Sequence, residues 1–294
     1  MAQIIVFSPA KINLFLAITG KREDGFHDLV SLVTPVSFGD EIEIRITEGE
    51  RSVELECDAP GIPVDGRNLA SKSAMLFMER YGIDAKVEID LKKRIPSGAG
   101  LGGGSSNAAA VLKALNGYFA ACEETELSQL SSEIGSDCPL FLKGKPVVMR
   151  GRGEEIEELP DEQCSRLDGL ELLLYKPSLS NATPWAYGEL SKFSGKSFMS
   201  QEEAELRLSQ FLNGRMELDS LLFNSFEEPI FRKHRGIFEM QRQIQEEICV
   251  PTLMSGSGSA CFAICEGERR ERIREAVQDC WGYRVFAETA SVSL

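Results

Sequence analysis

The chain has few of the side chains that build metal centres. It holds only two histidines, His27 and His234, far apart in sequence, and none of its eight cysteines falls in a C-x-x-C pair. The usual zinc spacings are therefore excluded. Basic residues are in deficit too: 32 Lys and Arg against 46 Asp and Glu leave a formal net charge of −14. That balance repels nucleic acid and anionic membrane surfaces at long range, so neither is expected as a partner. No hydrophobic run is long enough to span a bilayer. The apolar N-terminal stretch is interrupted by Lys11 and Asn13 and carries no cleavage-site pattern, so it reads as neither signal peptide nor anchor. Scattered thiols in such a chain fit a reducing cytoplasm. With 294 residues, 43% of them hydrophobic, there is room for two domains with cores of their own.

Glycine, by contrast, is concentrated. Pro96-Ser97-Gly98-Ala99-Gly100-Leu101-Gly102-Gly103-Gly104-Ser105-Ser106-Asn107 packs five glycines into the seven residues from Gly98 to Gly104. At that density the backbone reaches positive φ freely, and successive N–H groups can converge on an anion. A run with Ala108, Ala109, Ala110, Leu112 and Leu115 follows, which predicts a helix from Ser105 to Asn116 that stops at Gly117. Loop and helix N-terminus together read as a phosphate cradle. The letters Gly98 to Gly103 satisfy the dinucleotide pattern G-x-G-x-x-G, but no strand ending in an acid follows about 20 residues on. The P-loop also fails, because no Lys follows these glycines before the serines. Lys92, Lys93 and Arg94 precede the loop and read equally as a phosphate contact or a solvated strand end.

Along the rest of the chain, Ala10 to Ile18 alternates as a strand that puts Lys11 and Asn13 on one face, and Glu41 to Thr47 alternates as a half-exposed strand. Asn68 caps a helix through Arg80 that ends at Gly82, and Lys86 to Leu91 is the strand leading to the glycine loop. In Gly135-Ser136-Asp137-Cys138-Pro139, the glycine and proline predict a short turn. Beyond Gly153 the pattern predicts strands at Leu170 to Tyr175, Cys261 to Cys265 and Tyr283 to Glu288. It also predicts helices at Thr183 to Leu190, Gln201 to Leu212, Phe231 to Ile248 and Glu268 to Cys280, and a mobile loop at Lys192 to Ser200. The class is α+β, with a domain boundary near Glu155, giving domains 1–155 and 156–294. A second cluster, Gly256-Ser257-Gly258, reads as a hairpin turn or a second phosphate loop.

The glycine loop resembles the second signature of the GHMP kinases, small-molecule kinases that act on alcohols. Ser8-Pro9-Ala10-Lys11-Ile12-Asn13-Leu14 is similar to the first signature, and Leu253 to Cys261 to the third. Gly25-Phe26-His27 and Gly135 to Pro139 are similar to segments of the branch that phosphorylates a cytidine-diphosphate-linked polyol. The resemblance covers Ser8 to Phe262. It implies a ribosomal protein S5 domain 2-like N-terminal domain and a ferredoxin-like C-terminal domain, with the active site in the cleft between them. It further implies MgATP as phosphoryl donor, held by Pro96 to Asn107 and Gly256 to Gly258, with Ser106 as a Mg²⁺ or β-phosphate contact.

In the same resemblance Asp137 orients the substrate hydroxyl and accepts its proton, Lys11 neutralises charge at the γ-phosphoryl group, and Asn13 binds the substrate hydroxyls. His27 bonds the pyrimidine edge, and Phe26 stacks on the base where the family usually has Tyr. Thr183 and Tyr187 lie in the segment that closes the other face, with Trp185 as a competitor for the stacking role. A monomer or weak homodimer is expected. The alternatives are a sister kinase acting on homoserine, mevalonate or a sugar, and a nucleotide-binding regulator without catalysis.

Overall fold

Alternating isoleucines set the first sheet. Ile42, Ile44 and Ile46 are buried while Glu41 is exposed and Glu43 and Arg45 half-exposed, the period of a strand with one face covered. The computed structural model describes residues 1–192 and 197–292. Its strands include β1 (Ala2–Lys21), β2 (His27–Glu48), β3 (Ser52–Cys57) and β4 (Ala85–Lys92), and its first four helices are α1 (Leu69–Tyr81), α2 (Gly103–Phe119), α3 (Glu124–Ile134) and α4 (Cys138–Lys143).

Contacts divide the chain into two compact units, one of Met1–Ala10, Gly39–Ser97 and Gly102–Gly144, the other of Lys11–Phe38, Gly98–Leu101 and Lys145–Leu294. The sequence suggests one boundary near Glu155, whereas the contacts divide the chain inside β1, inside β2, around Gly98–Leu101 and after Gly144. Long strands explain this difference, since a hydrophobic pattern shows that a strand continues but not which neighbours its two ends meet.

In the first unit, residues 41–48 of β2 pair antiparallel with β4, and β3 pairs parallel with β4. Helix α1 begins where Asn68 accepts from the Ala70 N–H, and it ends at Gly82 with φ 64°. Helix α2 starts two residues before the expected Ser105 and does not stop at Gly117; it runs on to Phe119. Gly117 lies inside the helix, which ends at Ala120 (φ 49°), where the Ala120 N–H donates to the Asn116 carbonyl and Asn116 Oδ1 accepts from the N–H groups of Ala121 and Cys122. The predicted turn is present at Ser136 and Asp137, closed by the Cys138 N–H on the Gly135 carbonyl (3.1 Å), and it leads straight into α4 at Cys138. Pro139 lies in the first turn of α4, where its missing N–H costs nothing.

The second unit holds a four-stranded antiparallel sheet in the order β11 (Phe286–Ser291), β7 (Glu171–Lys176), β10 (Cys261–Ile264), β9 (Thr252–Met254). It also holds the short strands β5 (Val147–Arg150) and β6 (Glu155–Glu158), and β8 (Phe223–Asn224), which pairs parallel with β1 at Phe15 and Leu16. Its helices include α5 (Thr183–Lys192), α6 (Gln201–Leu212), α7 (Glu227–Lys233), α8 (Arg235–Gln243) and α9 (Gly267–Trp281).

The long helix expected from Phe231 to Ile248 is broken at His234, whose φ of −121° and ψ of 69° leave the helical region, and it ends in a π turn at Ile244–Ile248. The last strand lies three residues later than expected, from Phe286. Residues 193–196 of the segment expected to be mobile lie outside the described residues. No helix among the described residues is long and apolar enough to cross a membrane.

Candidate functional site

The first unit carries the helix end of the glycine loop. Ser106 and Asn107 are both buried, and a directed chain of hydrogen bonds holds them. Asn107 Nδ2 donates to Asp40 Oδ2 (2.8 Å) and to Ser8 Oγ (2.8 Å), and Ser8 donates onward to Ser106 Oγ (2.8 Å). Ser106 thus keeps its own hydrogen and one lone pair for something else. Asp40 is fully buried and also accepts from the N–H groups of Arg94 (2.7 Å) and Ile95 (2.8 Å), and it pairs with Lys93 Nζ.

Two sequence expectations change here. Lys93 is neither a phosphate contact nor a solvated strand end, because its ammonium is buried against Asp40. Both amide hydrogens of Asn107 are used inside the fold. Asp137 is partly exposed just ahead of α4, and its side chain makes no capping bond. The neighbouring Cys138 thiol is pushed up to about 11 by burial, which removes it as a nucleophile near neutral pH.

The second unit carries the first half of the loop, β1 from Lys11, and the second glycine cluster. Lys11 and Asn13 are buried side by side, with Lys11 Nζ donating to Asn13 Oδ1. Asn13 Nδ2 donates to Ser31 Oγ (2.9 Å), which donates to the Phe15 carbonyl, so the amide is held in one orientation. The Lys11 N–H donates to the Leu101 carbonyl (3.0 Å), tying the strand to the glycine loop.

The Gly256 cluster is a turn between the paired strands β9 and β10, closed by the Gly258 N–H on the Ser255 carbonyl (3.0 Å). It packs against Gly100, where Ser255 Oγ donates to the Gly100 carbonyl (3.0 Å). A Cβ at Gly100, where φ is +80°, would stand 2.1 Å from the Ser255 carbonyl oxygen, so only glycine fits. A Cβ at Gly256 would come within 3.3 Å of Lys11 Nζ, which puts the lysine ammonium at the turn. Two of the three segments that resemble the signatures thus meet in this unit with part of the third. Thr183 joins them through its hydroxyl, 3.1 Å from Ser257 Oγ.

His27 lies apart from this cluster in contact terms. Its ring faces Tyr187 at 5.1 Å and meets the edge of Phe198 at 5.9 Å. Burial first, and Lys21 second, lower its pKa, so the imidazole is neutral near pH 7. Ser191 donates its own hydrogen to the Tyr187 carbonyl (3.0 Å), so it accepts from His27 Nε2 (3.0 Å). The chain of donors leaves His27 Nδ1 as an acceptor. Phe26 is 56% exposed with the Arg152 guanidinium 4.9 Å from its ring centre. Trp185 is covered by Lys233, whose Nζ is 3.6 Å from the ring centre, while Tyr187 packs on His27 and Phe226.

Sequence reasoning missed Asp40, Asn224, Ser225 and Glu227. The only signal was polar residues inside otherwise apolar runs, and such residues cannot be told from surface positions without the fold.

Comparisons with known proteins add to this geometry. Residues 68–145 match the family model described as GHMP kinases N terminal domain, and residues 205–282 match GHMP kinases C terminal. A protein of Methylacidiphilum infernorum named 4-diphosphocytidyl-2-C-methyl-D-erythritol kinase is 38% identical over 282 residues, covering 94% of this chain and 91% of that protein. A chloroplastic protein of Arabidopsis thaliana with the same enzyme name is 37% identical over 274 residues, covering 90% of this chain and 68% of that protein. A crystal structure titled 4-(cytidine 5'-diphospho)-2C-methyl-D-erythritol kinase superposes with a TM-score of 0.77 at 33% identity, covering 98% of this chain and 99% of that one. A homoserine kinase of Cytophaga hutchinsonii, at 20% identity and a TM-score of 0.75, shares the fold.

Proposed function

The chain belongs to the GHMP kinases, and we propose that it transfers the γ-phosphoryl group of ATP to the 2-hydroxyl of 4-diphosphocytidyl-2-C-methyl-D-erythritol, releasing ADP and the 2-phosphate. This is a step of isoprenoid precursor formation by the non-mevalonate route. ATP is the co-substrate of the family, and we place the reaction in the cytoplasm.

The observation that carries the choice of alcohol is the identity with kinases of this name across more than nine-tenths of the chain. The aromatic and histidine cluster at Tyr187 and His27 agrees with it. A neutral imidazole whose Nδ1 accepts suits the exocyclic amino group of cytosine, with Tyr187 and the exposed Phe26 offering ring faces. Phe26 gives up the hydroxyl of the tyrosine usual in the family but keeps the stacking face.

The glycine segments Gly98–Gly104 and Gly256–Gly258 are assigned to the triphosphate. Lys11, at the Gly256 turn, is assigned to the charge that develops on the transferring phosphoryl group. Asp137 is assigned to the reacting hydroxyl; the transition state is loose and the proton leaves late, so aim matters more than basicity. Transfer is in line, with no phosphoenzyme, and the remote cytidine supplies binding energy that positions the hydroxyl.

Magnesium fits this reading as an ion that arrives with ATP. Among the described residues no cluster of three His, Cys, Asp or Glu could hold a metal, and Ser106 keeps one lone pair for it. Ser106 would be the residue to contact such an ion, which would supply charge neutralisation at the phosphates.

The test is ADP release with MgATP and each of four alcohols: the cytidyl substrate, mevalonate, homoserine and galactose. Turnover with the cytidyl substrate alone is expected. Turnover with another alcohol instead overturns the choice of substrate, and none at all favours a regulator. Asp137→Asn is expected to stay folded and lose about 10²–10⁴ in kcat; normal turnover by that variant removes the role given to Asp137.

A further inference from the structure

From Asn224, the last residue of β8, to Glu227 the chain makes a run of buried and part-buried polar contacts. Asn224 is buried, and its Nδ2 donates to the carbonyls of Met254 (2.6 Å) and Gly256 (2.9 Å), while its Oδ1 accepts from the Phe226 N–H (2.9 Å). Three of its four bonding positions are filled, one by the glycine turn and one by the strand residue just before it. Glu227, three residues on, accepts at Oε1 from the Met254 N–H (2.9 Å) and from Gln241 Nε2 (3.0 Å). The backbone of Met254 is therefore gripped at both its N–H and its C=O, immediately before the turn begins. Between these two residues, Ser225 faces the other way: its N–H donates to the Leu16 carbonyl and its Oγ accepts from the Ile18 N–H, both at 2.9 Å.

A hairpin turn needs none of this to close, because the Gly258 N–H on the Ser255 carbonyl already does so. What a glycine-rich turn lacks is a reason to stay in one shape: Gly256 and Gly258 sit at positive φ and bring no side chains to pack. A turn that must present N–H groups to a phosphate gains from bracing, since looseness of an ångström costs as much as a missing contact. Gln241, on α8, completes the brace by holding Glu227 from behind.

We infer that Asn224 and Glu227 are positioning residues that hold the Ser255–Gly258 turn in its nucleotide-binding shape, with Gln241 as their support. This rests on the assignment of that turn to the triphosphate. Neither residue touches the nucleotide; both act through the backbone of Met254 and Gly256.

The test uses the full chain and two readouts: KM for MgATP against kcat at saturating alcohol, and the Kd of a fluorescent ATP analogue without alcohol. Asn224→Ala and Glu227→Ala are expected to raise both ATP constants about tenfold, with a smaller change in kcat. Glu227→Gln keeps an acceptor oxygen for both N–H groups and is expected to stay within about twofold of the parent. Should the alanine variants fail to fold, Gln241→Met removes the support of Glu227, together with a hydrogen bond to Cys261 Sγ, and is expected to raise both ATP constants about threefold.

Parent-like ATP constants in a folded Asn224→Ala, Glu227→Ala or Gln241→Met protein overturn the inference, as does a Glu227→Gln protein as impaired as Glu227→Ala. Failure of the parent to bind the ATP analogue would instead remove the functional reading on which the inference rests. The analogue measurement does not depend on which alcohol is the substrate, so the two failures are told apart.

Discussion

Two carboxylates stand behind two glycine segments, one fully buried and one half-buried, and they are built differently. Asp40, in the first unit, meets a lysine ammonium, an amide and two backbone N–H groups, all converging on its two oxygens. Glu227, in the second, meets two neutral donors and no cation, and burial pushes its pKa up to about 7. Its titratable neighbours Tyr175 and Cys261 are pushed up by burial as well and stay neutral. A charge in the interior is tolerated when it is paired and fully bonded; with fewer partners it retreats toward its neutral form. The first arrangement anchors the start of α2 through Asn107. The second makes a brace whose charge state follows pH.

Removing the anchor should have the larger effect. Asp40→Ala leaves Lys93 buried without its partner and frees two backbone N–H groups, and a loss of about 3–5 kcal/mol in unfolding free energy is expected from urea denaturation. A loss below about 1 kcal/mol would mean that water reaches Lys93 and that the contrast between the two carboxylates is smaller than the contacts suggest.

The brace should show itself through pH. The folded-state pKa of Glu227 is raised, to about 7 from 4.5, so the folded protein holds a proton that the unfolded chain gives up earlier. Its contribution to stability is complete below about pH 4.5 and is lost as pH rises toward 7, a change on the order of 3 kcal/mol. Subtracting the pH profile of Glu227→Gln from that of the parent isolates this loss from other groups. A flat difference between pH 5 and 8 would show that burial does not raise the pKa of Glu227.

The smallest effect belongs outside both networks. Phe26→Tyr restores the hydroxyl usual in the family on an exposed ring, so KM for the cytidyl substrate should move by no more than about threefold, with KM for ATP unchanged. A larger change would mean that the base site depends on the hydroxyl, and stacking alone would no longer describe it.

Much of this was legible in the residues. Alternation placed β1, β2 and β4, Asn68 and Gly82 marked both ends of α1, and Gln201–Leu212 was bounded correctly. The glycine segments and Lys11, Asn13, His27 and Tyr187 were singled out by motif. Gly117 does not end α2, and the turn expected around Asp137 is confined to Ser136 and Asp137 because Pro139 fits the first turn of α4; helix context decides whether a glycine or a proline interrupts anything. The split of Phe231 to Ile248 was missed because nothing local in His234 marks a break.

The sequence by itself determined what lies near in the chain: strand and helix periods, caps, the clustered glycines and the family. Only the tertiary structure decided the partners of buried polar groups: that Lys93 belongs to Asp40, that Ser191 fixes which nitrogen of His27 accepts, and that Asn224 and Glu227 grip a turn some thirty residues away. Periodicity is a property of neighbours along the chain, whereas a hydrogen bond between distant residues depends on where folding brings them, and a polar letter carries no record of its partner.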